Sequence, residues 1–84
     1  MIIVMKVREW RIANSKSLRQ AAEDFGIGAG KNPSRRMQRI ETGEAPVDAL
    51  LADVIVQITN GAVTLQDLND TRRDWMQNAR AEVA

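Results

Sequence analysis

The strongest constraint on the fold is a run of apolar residues between Pro46 and Asn60 that repeats with the period of an α-helix. Its members fall at relative positions i, i+3, i+4, i+7, i+8 and i+11; they are Val47, Leu50, Leu51, Val54, Ile55 and Ile58. This spacing puts them on one side of a helix, which has to be buried against other elements. No stretch of the sequence alternates with period two for long enough to indicate a strand. The pattern therefore predicts an all-α domain.

Glycine, proline and capping residues divide the first part of the chain into short helices. We expect one helix from about residue 5 to residue 14 and a second that begins after Ser17. Ser17 and Gln20 have the spacing of a capping box, in which each side chain accepts the backbone N–H of the other residue. Gly26 supplies the left-handed residue that ends the second helix. The buried side of this helix would consist of Leu18, Ala21, Ala22 and Phe25.

The same signals place the remaining helices. A third helix begins at Pro33 with Asn32 as its cap, and it ends at Gly43. The fourth begins at Pro46, and Asn60-Gly61 ends it.

Two further elements complete the chain. The spacing of Thr64 and Asp67 predicts a capped turn of helix, followed by a last helix from about Asp70. The expected architecture is a compact bundle of five to six short helices.

Length and composition exclude several classes of function. With 84 residues, the chain has room for a single domain, which we assign to residues 1–84. It contains no cysteine and no histidine, which excludes disulfides, thiolate or imidazole metal sites and Cys or Ser-His nucleophilic catalysis. We therefore expect no metal, no cofactor and no enzymatic activity.

The apolar opening MIIVM is followed at once by Lys6 and is too short for a signal sequence or a membrane span. We expect a cytoplasmic protein that does not enter a membrane. Ile2-Ile3-Val4 has three interpretations: an arm that covers the core, a strand exchanged between subunits, or residues upstream of a true start at Met5.

The two halves of the chain carry opposite charge. Residues 1–39 contain nine Lys or Arg against three acidic residues, and residues 40–84 contain three against eight, so the halves carry +6 and −5. Such asymmetry indicates one half that faces a polyanion and another that faces a different partner. An uneven distribution without a function is the other interpretation.

The third helix has the most informative pattern of side chains. Met37 and Ile40 form its narrow apolar side, and the opposite side carries Arg35, Gln38, Arg39 and Thr42. Four positive charges and no acid lie between Lys31 and Arg39. A helix fits the DNA major groove, and Arg and Gln form bidentate pairs with guanine and adenine. A solvated basic face without a ligand is the alternative.

The order of these motifs resembles the phage repressor and Cro class of helix-turn-helix regulators. The resemblance covers roughly residues 5–70 and depends on SLRQAAEDFGI, RRMQRIETGE and ITNGAVTLQDL. It implies a lambda-repressor-like fold and a sequence-specific regulator of transcription, a repressor that binds a palindromic operator in double-stranded DNA as a homodimer. The base-contacting residues would be Arg35, Gln38, Arg39 and Thr42, and the phosphate-contacting residues would be Lys16, Arg19, Lys31, Ser34 and Arg36.

The resemblance also implies two structural features. The family pairs an arginine late in its first helix with a glutamate near the end of the recognition helix, and Arg11 and Glu41 occupy the matching positions. We therefore expect a partly buried ion pair that fixes the recognition helix. The alanine that matches Ala22 is small in the family, which lets the two helices cross closely.

The sequence departs from the family in two places. The connection between Gly26 and Met37 is about five residues longer than usual and carries Gly28-Ala-Gly30-Lys31. Leu18 also stands where the family often has a glutamine that contacts a phosphate. The glycine-rich connection either replaces that phosphate contact, because amides and the dipole at a helix N-terminus attract oxyanions, or is a flexible connector.

The C-terminal part of the chain would supply the contact between subunits. Val56, Trp75 and Met76 are candidates for a two-fold interface, and residues 70–84 form either a dimerisation helix or a helix that caps the core. An alternative function is a protein-interaction module with the same fold, such as a phage inhibitor or an antitoxin-like subunit that binds an acidic partner.

Overall fold

The computed structural model describes the backbone of residues 5–83 and the side chains of residues 5–79. Between residues 5 and 83 it contains five helices and no strand. The helices are α1 (Val7–Ala13), α2 (Leu18–Asp24), α3 (Pro33–Thr42), α4 (Ala49–Ile58) and α5 (Leu65–Val83). The expected all-α class and number of helices are confirmed for this part of the chain. Ile2-Ile3-Val4, with its three interpretations, lies outside the described residues.

Local capping chemistry sets several of the helix ends. Ser17 and Gln20 form the expected capping box, with distances of 2.8 and 3.1 Å between the donor and acceptor atoms. The Asn32 side chain accepts the backbone N–H of Arg35 at 3.1 Å, with Pro33 at the first helical position. Gly43 ends α3 in the left-handed conformation, with φ of 89°.

The predicted start of α4 is wrong by three residues. The helix begins at Ala49 rather than at Pro46, and its N-cap is Asp48. The Asp48 carboxylate accepts the backbone N–H of Leu51 at 2.8 Å. This side-chain acceptor satisfies a free amide of the first turn, which stabilises a helix that begins at Ala49.

The last two predicted elements are one continuous helix. Thr64 and Asp67 form the expected capping box, with backbone-to-side-chain distances of 2.9 and 3.2 Å. The helix that they open continues through Asp70 to Val83. No glycine or proline follows Thr64 in the sequence, so nothing ends the helix after its first turn.

The core lies between α1, α2, α3 and α4 and includes residues of two connections. Ring centroids of Trp10 and Phe25 are 5.5 Å apart at its centre. The radius of gyration, 12.7 Å, is close to the value of about 12 Å expected for a compact chain of this length. The buried cluster consists of Val7, Trp10, Ala21, Ala22, Phe25, Ile27, Met37, Ile40, Ile55 and Val63.

The apolar side predicted for α4 is only partly buried. Leu50 is 80% exposed and Ile58 is 47% exposed, whereas Ile55 and Ala52 are buried. Leu50 precedes Ile55 by five positions, which is a rotation of about 140° around the helix axis. A ten-residue helix at the edge of a small core therefore buries the residues around Ile55 and leaves Leu50 in solvent.

Of the helices between residues 5 and 83, none has the length and apolar character that crossing a membrane requires.

Candidate functional site

The outward side of α3 forms a continuous polar surface. Met37 and Ile40 face the core, at 0% and 5% exposure. The four residues predicted to face DNA bases are exposed and line one shallow cleft with Glu44; they are Arg35, Gln38, Arg39 and Thr42. Their common position follows from the 3.6-residue period of the helix. We call this set of five side chains the α3 cleft.

Positive charge without a local counter-ion is concentrated at the start of α3. Lys31, Arg35 and Arg36 are exposed, and none of them pairs with a carboxylate among residues 5–79. Ser34, also predicted to contact phosphate, is half-buried between them. This region therefore carries three exposed positive charges that no carboxylate among residues 5–79 neutralises.

Two other predicted phosphate contacts already have acidic partners. The Lys16 ammonium lies 2.6 Å from an Asp24 carboxylate oxygen, and the Arg19 guanidinium lies 3.5 Å from Glu23. Both pairs are at least partly exposed, so they are weak and can be exchanged. Neither residue contributes a free charge in this conformation.

Arg8 extends the basic surface onto α1, and the sequence did not predict this contribution. It is exposed, has no ion pair within residues 5–79, and lines a cleft with Gln38 and Thr42. The two segments are about thirty residues apart in sequence. Only tertiary packing brings them together, so the sequence offers no local signal for this contact.

The ion pair between Arg11 and Glu41 holds α3 against α1. The guanidinium is bidentate, with Nε 2.6 Å and Nη2 3.1 Å from the two carboxylate oxygens. The Arg11 Nη1 atom also donates to the Lys16 carbonyl at 3.1 Å, so the same side chain holds the connection between α1 and α2 in place. The side chains are 16% and 4% exposed. This pair fixes the orientation in which α3 presents its polar side.

The C-terminal end of α3 is held by α5. A Cβ atom on Gly43 would overlap the Thr71 carbonyl oxygen, so only glycine allows this close approach of the two backbones. Arg72 donates from Nη1 to the carbonyl oxygens of Gly43 and Glu44, at 2.7 and 2.8 Å. Both carbonyls lie in the turn that follows Thr42, the last residue of α3. The sequence indicated no such role for Arg72, because its partners are 28 and 29 residues away.

The long connection between α2 and α3 consists of eight residues, 25–32, and only its second half projects from the molecule. Ile27 is buried, and its N–H donates to the Ala22 carbonyl at 2.9 Å. Gly28 packs on α2, where a Cβ would lie 2.9 Å from Cγ of Glu23. Gly30 has φ of 125°, and Lys31 beside it is exposed. The connection therefore ends in an exposed lysine at the start of α3.

The structure does not bring the three residues predicted for the dimer interface into one surface; they are Val56, Trp75 and Met76. Trp75 is half-buried, and its Cβ lies next to Gly43, while the Arg72 guanidinium lies 5.4 Å from its ring centroid. These contacts within one chain favour the core-capping interpretation of Trp75. Met76 is 43% exposed beside a depression lined by α5 residues alone, and Val56 is half-buried on α4.

In comparisons with known proteins, no family model, no curated protein and no solved structure matches the chain. Among the described residues, no three acidic side chains lie close enough together to hold a metal ion.

Proposed function

We propose that the chain is a sequence-specific DNA-binding regulator, in which α2 and α3 act as a helix-turn-helix and α3 enters the major groove. The observation that carries this proposal is the outward side of α3, where exposed Arg and Gln side chains accompany positive charges without a local counter-ion. The C-terminal end of the helix is fixed by two contacts, the ion pair of Glu41 with Arg11 and the hydrogen bond from Arg72 to Gly43. A rigid cationic helix of groove width suits duplex DNA.

The residues divide by their role on DNA. In the α3 cleft, Arg35, Gln38, Arg39 and Thr42 face base edges. Lys31, Ser34 and Arg36 hold phosphates, and Arg8 joins them. Lys16 and Arg19 take part only if they exchange their carboxylate partners for phosphates. Phosphate contacts position a protein on DNA, and base contacts select the site.

The regulator acts as a homodimer on a palindromic operator and represses a promoter by occupying it. One domain of this size buries too little DNA surface for selective binding on its own, so two copies on half-sites are required. Val56 and Met76 remain candidates for that contact. Trp75 is the weakest of the three, because its contacts with α3 and Arg72 already occupy it.

Binding to random duplex DNA across a range of salt concentrations tests the proposal. Contact with phosphates gives a linear fall of log affinity with log salt, because bound counterions are released. Lys31→Ala should weaken all sequences alike and reduce the slope by about one, whereas Arg39→Ala should reduce discrimination by about 1 to 3 kcal/mol at one base pair. Arg73→Ala on α5 removes an equal charge away from α3 and serves as the control. Weak binding with an affinity that does not change with salt concentration would contradict the proposal.

The second candidate is a protein-interaction module that docks the same cationic surface on an acidic protein. It is favoured by the same charges on Lys31, Arg35 and Arg36, which carry no preference for phosphate over carboxylate. Selection of bound sites from a random duplex pool separates the two candidates, because an interaction module without a DNA site of its own does not enrich any sequence.

A further inference from the structure

A carboxylate lies within the surface proposed to face DNA. Glu44 lines the α3 cleft with Arg35, Gln38, Arg39 and Thr42, and it is the acidic member of that group. Its Oε2 atom lies 3.6 Å from Nε of Arg39. The Arg39 and Glu44 side chains are 48% and 44% exposed, so the pair adds little to stability. Its position on the binding surface requires another explanation.

The backbone of Glu44 is anchored independently of its carboxylate. The N–H donates to Oγ1 of Thr42 at 3.4 Å, and the carbonyl oxygen accepts Nη1 of Arg72 at 2.8 Å. The turn after α3 therefore holds the side chain at the edge of the cleft. Replacing the carboxylate with an amide leaves these contacts in place.

We propose that Glu44 is a positioning residue that sets the sequence specificity of the α3 cleft by orienting the Arg39 guanidinium. This inference rests on the proposed function. The carboxylate engages Nε, and a guanidinium has two further nitrogen atoms that donate to the O6 and N7 atoms of guanine. A pre-oriented guanidinium loses less conformational freedom when it pairs with that base.

The negative charge has a second effect, which acts on every sequence. It lies beside the phosphate backbone when α3 is in the groove, so it lowers the affinity for any duplex. At a site with the matching guanine, the Arg39 contact offsets this repulsion. The repulsion is the same at other sites, so it does not alter the ratio of specific to non-specific affinity, which Glu44 increases only through the orientation of Arg39.

The test begins with selection of bound sites from a random duplex pool by the wild-type protein. Affinities for the selected duplex, for a scrambled duplex and for every single base-pair variant are then measured for wild type, Glu44→Gln and Asp53→Asn. Asp53 is exposed on α4 and makes no ion pair within residues 5–79, so its amide variant is a control with the same change in charge. Thermal unfolding establishes that all three proteins are folded.

We expect Glu44→Gln to bind the scrambled duplex about three- to tenfold more tightly than wild type at low salt, because a repulsive charge is removed. Its discrimination should fall mainly at the base pair that Arg39→Ala also affects. Addition of Glu44→Gln to Arg39→Ala should change discrimination no further, because the orienting role acts through Arg39.

Two results would overturn the inference, and they are distinguishable. If wild type selects a site and Glu44→Gln matches Asp53→Asn in both affinity and discrimination, the role of Glu44 is wrong and the DNA-binding function stands. If wild type binds no duplex, both the proposed DNA-binding function and the role of Glu44 are wrong.

Discussion

At the scale of single residues, Arg11 is the side chain that most directly fixes α3. Its bidentate contact leaves Glu41 only 4% exposed, and its third nitrogen holds the connection between α1 and α2. A carboxylate so buried depends on its partner, because Arg11 supplies both of the donors that its two oxygens accept from. The pair therefore links stability to the orientation of the candidate site.

Arg11→Ala should lower the free energy of unfolding by about 3 to 5 kcal/mol, because it leaves the Glu41 charge buried without a partner. The matched control is Arg73→Ala, which removes an arginine from an exposed pair with Asp70 and should cost less than about 1 kcal/mol. Chemical denaturation of both variants measures the difference. Equal stabilities would show that the Arg11 pair is effectively solvated.

The residue contacts that sequence reasoning predicted are those with a local signal or a family resemblance. The caps at Ser17, Asn32 and Thr64 join residues three positions apart, so their chemistry is visible in the sequence. The Arg11 pair was expected from the resemblance alone. The contacts of Arg8 and Arg72 were missed, because they depend on how separate helices pack.

At the scale of helices, the crossing of α3 and α5 depends on Gly43. The left-handed conformation was predictable from the end of the helical pattern, but the close approach of Thr71 was not. The last helix was expected to begin at about Asp70, and that prediction gave no indication that α5 packs on the end of α3. Because α5 is continuous from Leu65, its middle turns reach the end of α3 and hold it through Arg72.

Gly43→Ala should therefore destabilise the fold more than Gly61→Ala. Both glycines have left-handed φ values, 89° and 81°, so each variant incurs a strain of about 1 kcal/mol. Of the two positions, a Cβ would also contact backbone atoms only at Gly43. The separation of α3 from α5 that relieves this contact should add about 1 to 3 kcal/mol to the loss of stability. Thermal denaturation compares the two variants, and equal melting temperatures would count against a close crossing of α3 and α5.

The two sides of α4 should respond differently to truncation. Ile55→Ala removes a side chain with 0% exposure and should cost about 2 to 5 kcal/mol, whereas Leu50→Ala, at 80% exposure, should change stability by no more than about 0.5 kcal/mol. Denaturant titrations of the two variants test the orientation of α4. A large loss in Leu50→Ala would mean that this side is covered in solution.

At the scale of the whole molecule, folding redistributes the charge asymmetry of the sequence. Several cations of the first half pair with carboxylates of the second, as Lys6 does with Asp74 and Arg11 does with Glu41. Arg72 bonds to backbone carbonyl oxygens, and the other cations that pair with no carboxylate within residues 5–79 lie around the start of α3 and at Arg8. The net charge of +1 therefore conceals a localised basic surface. The sequence predicted its location on α3, but not which cations would be neutralised.

Mapping of backbone amide NMR shifts during titration with a short duplex tests the central claim most directly, which is that the outward side of α3 is the surface that binds DNA. We expect the largest changes at residues 31–44 and at Arg8, with small changes along α4 and the exposed side of α5. Changes concentrated on α4 and α5, with residues 31–44 unaffected at saturating duplex, would contradict it.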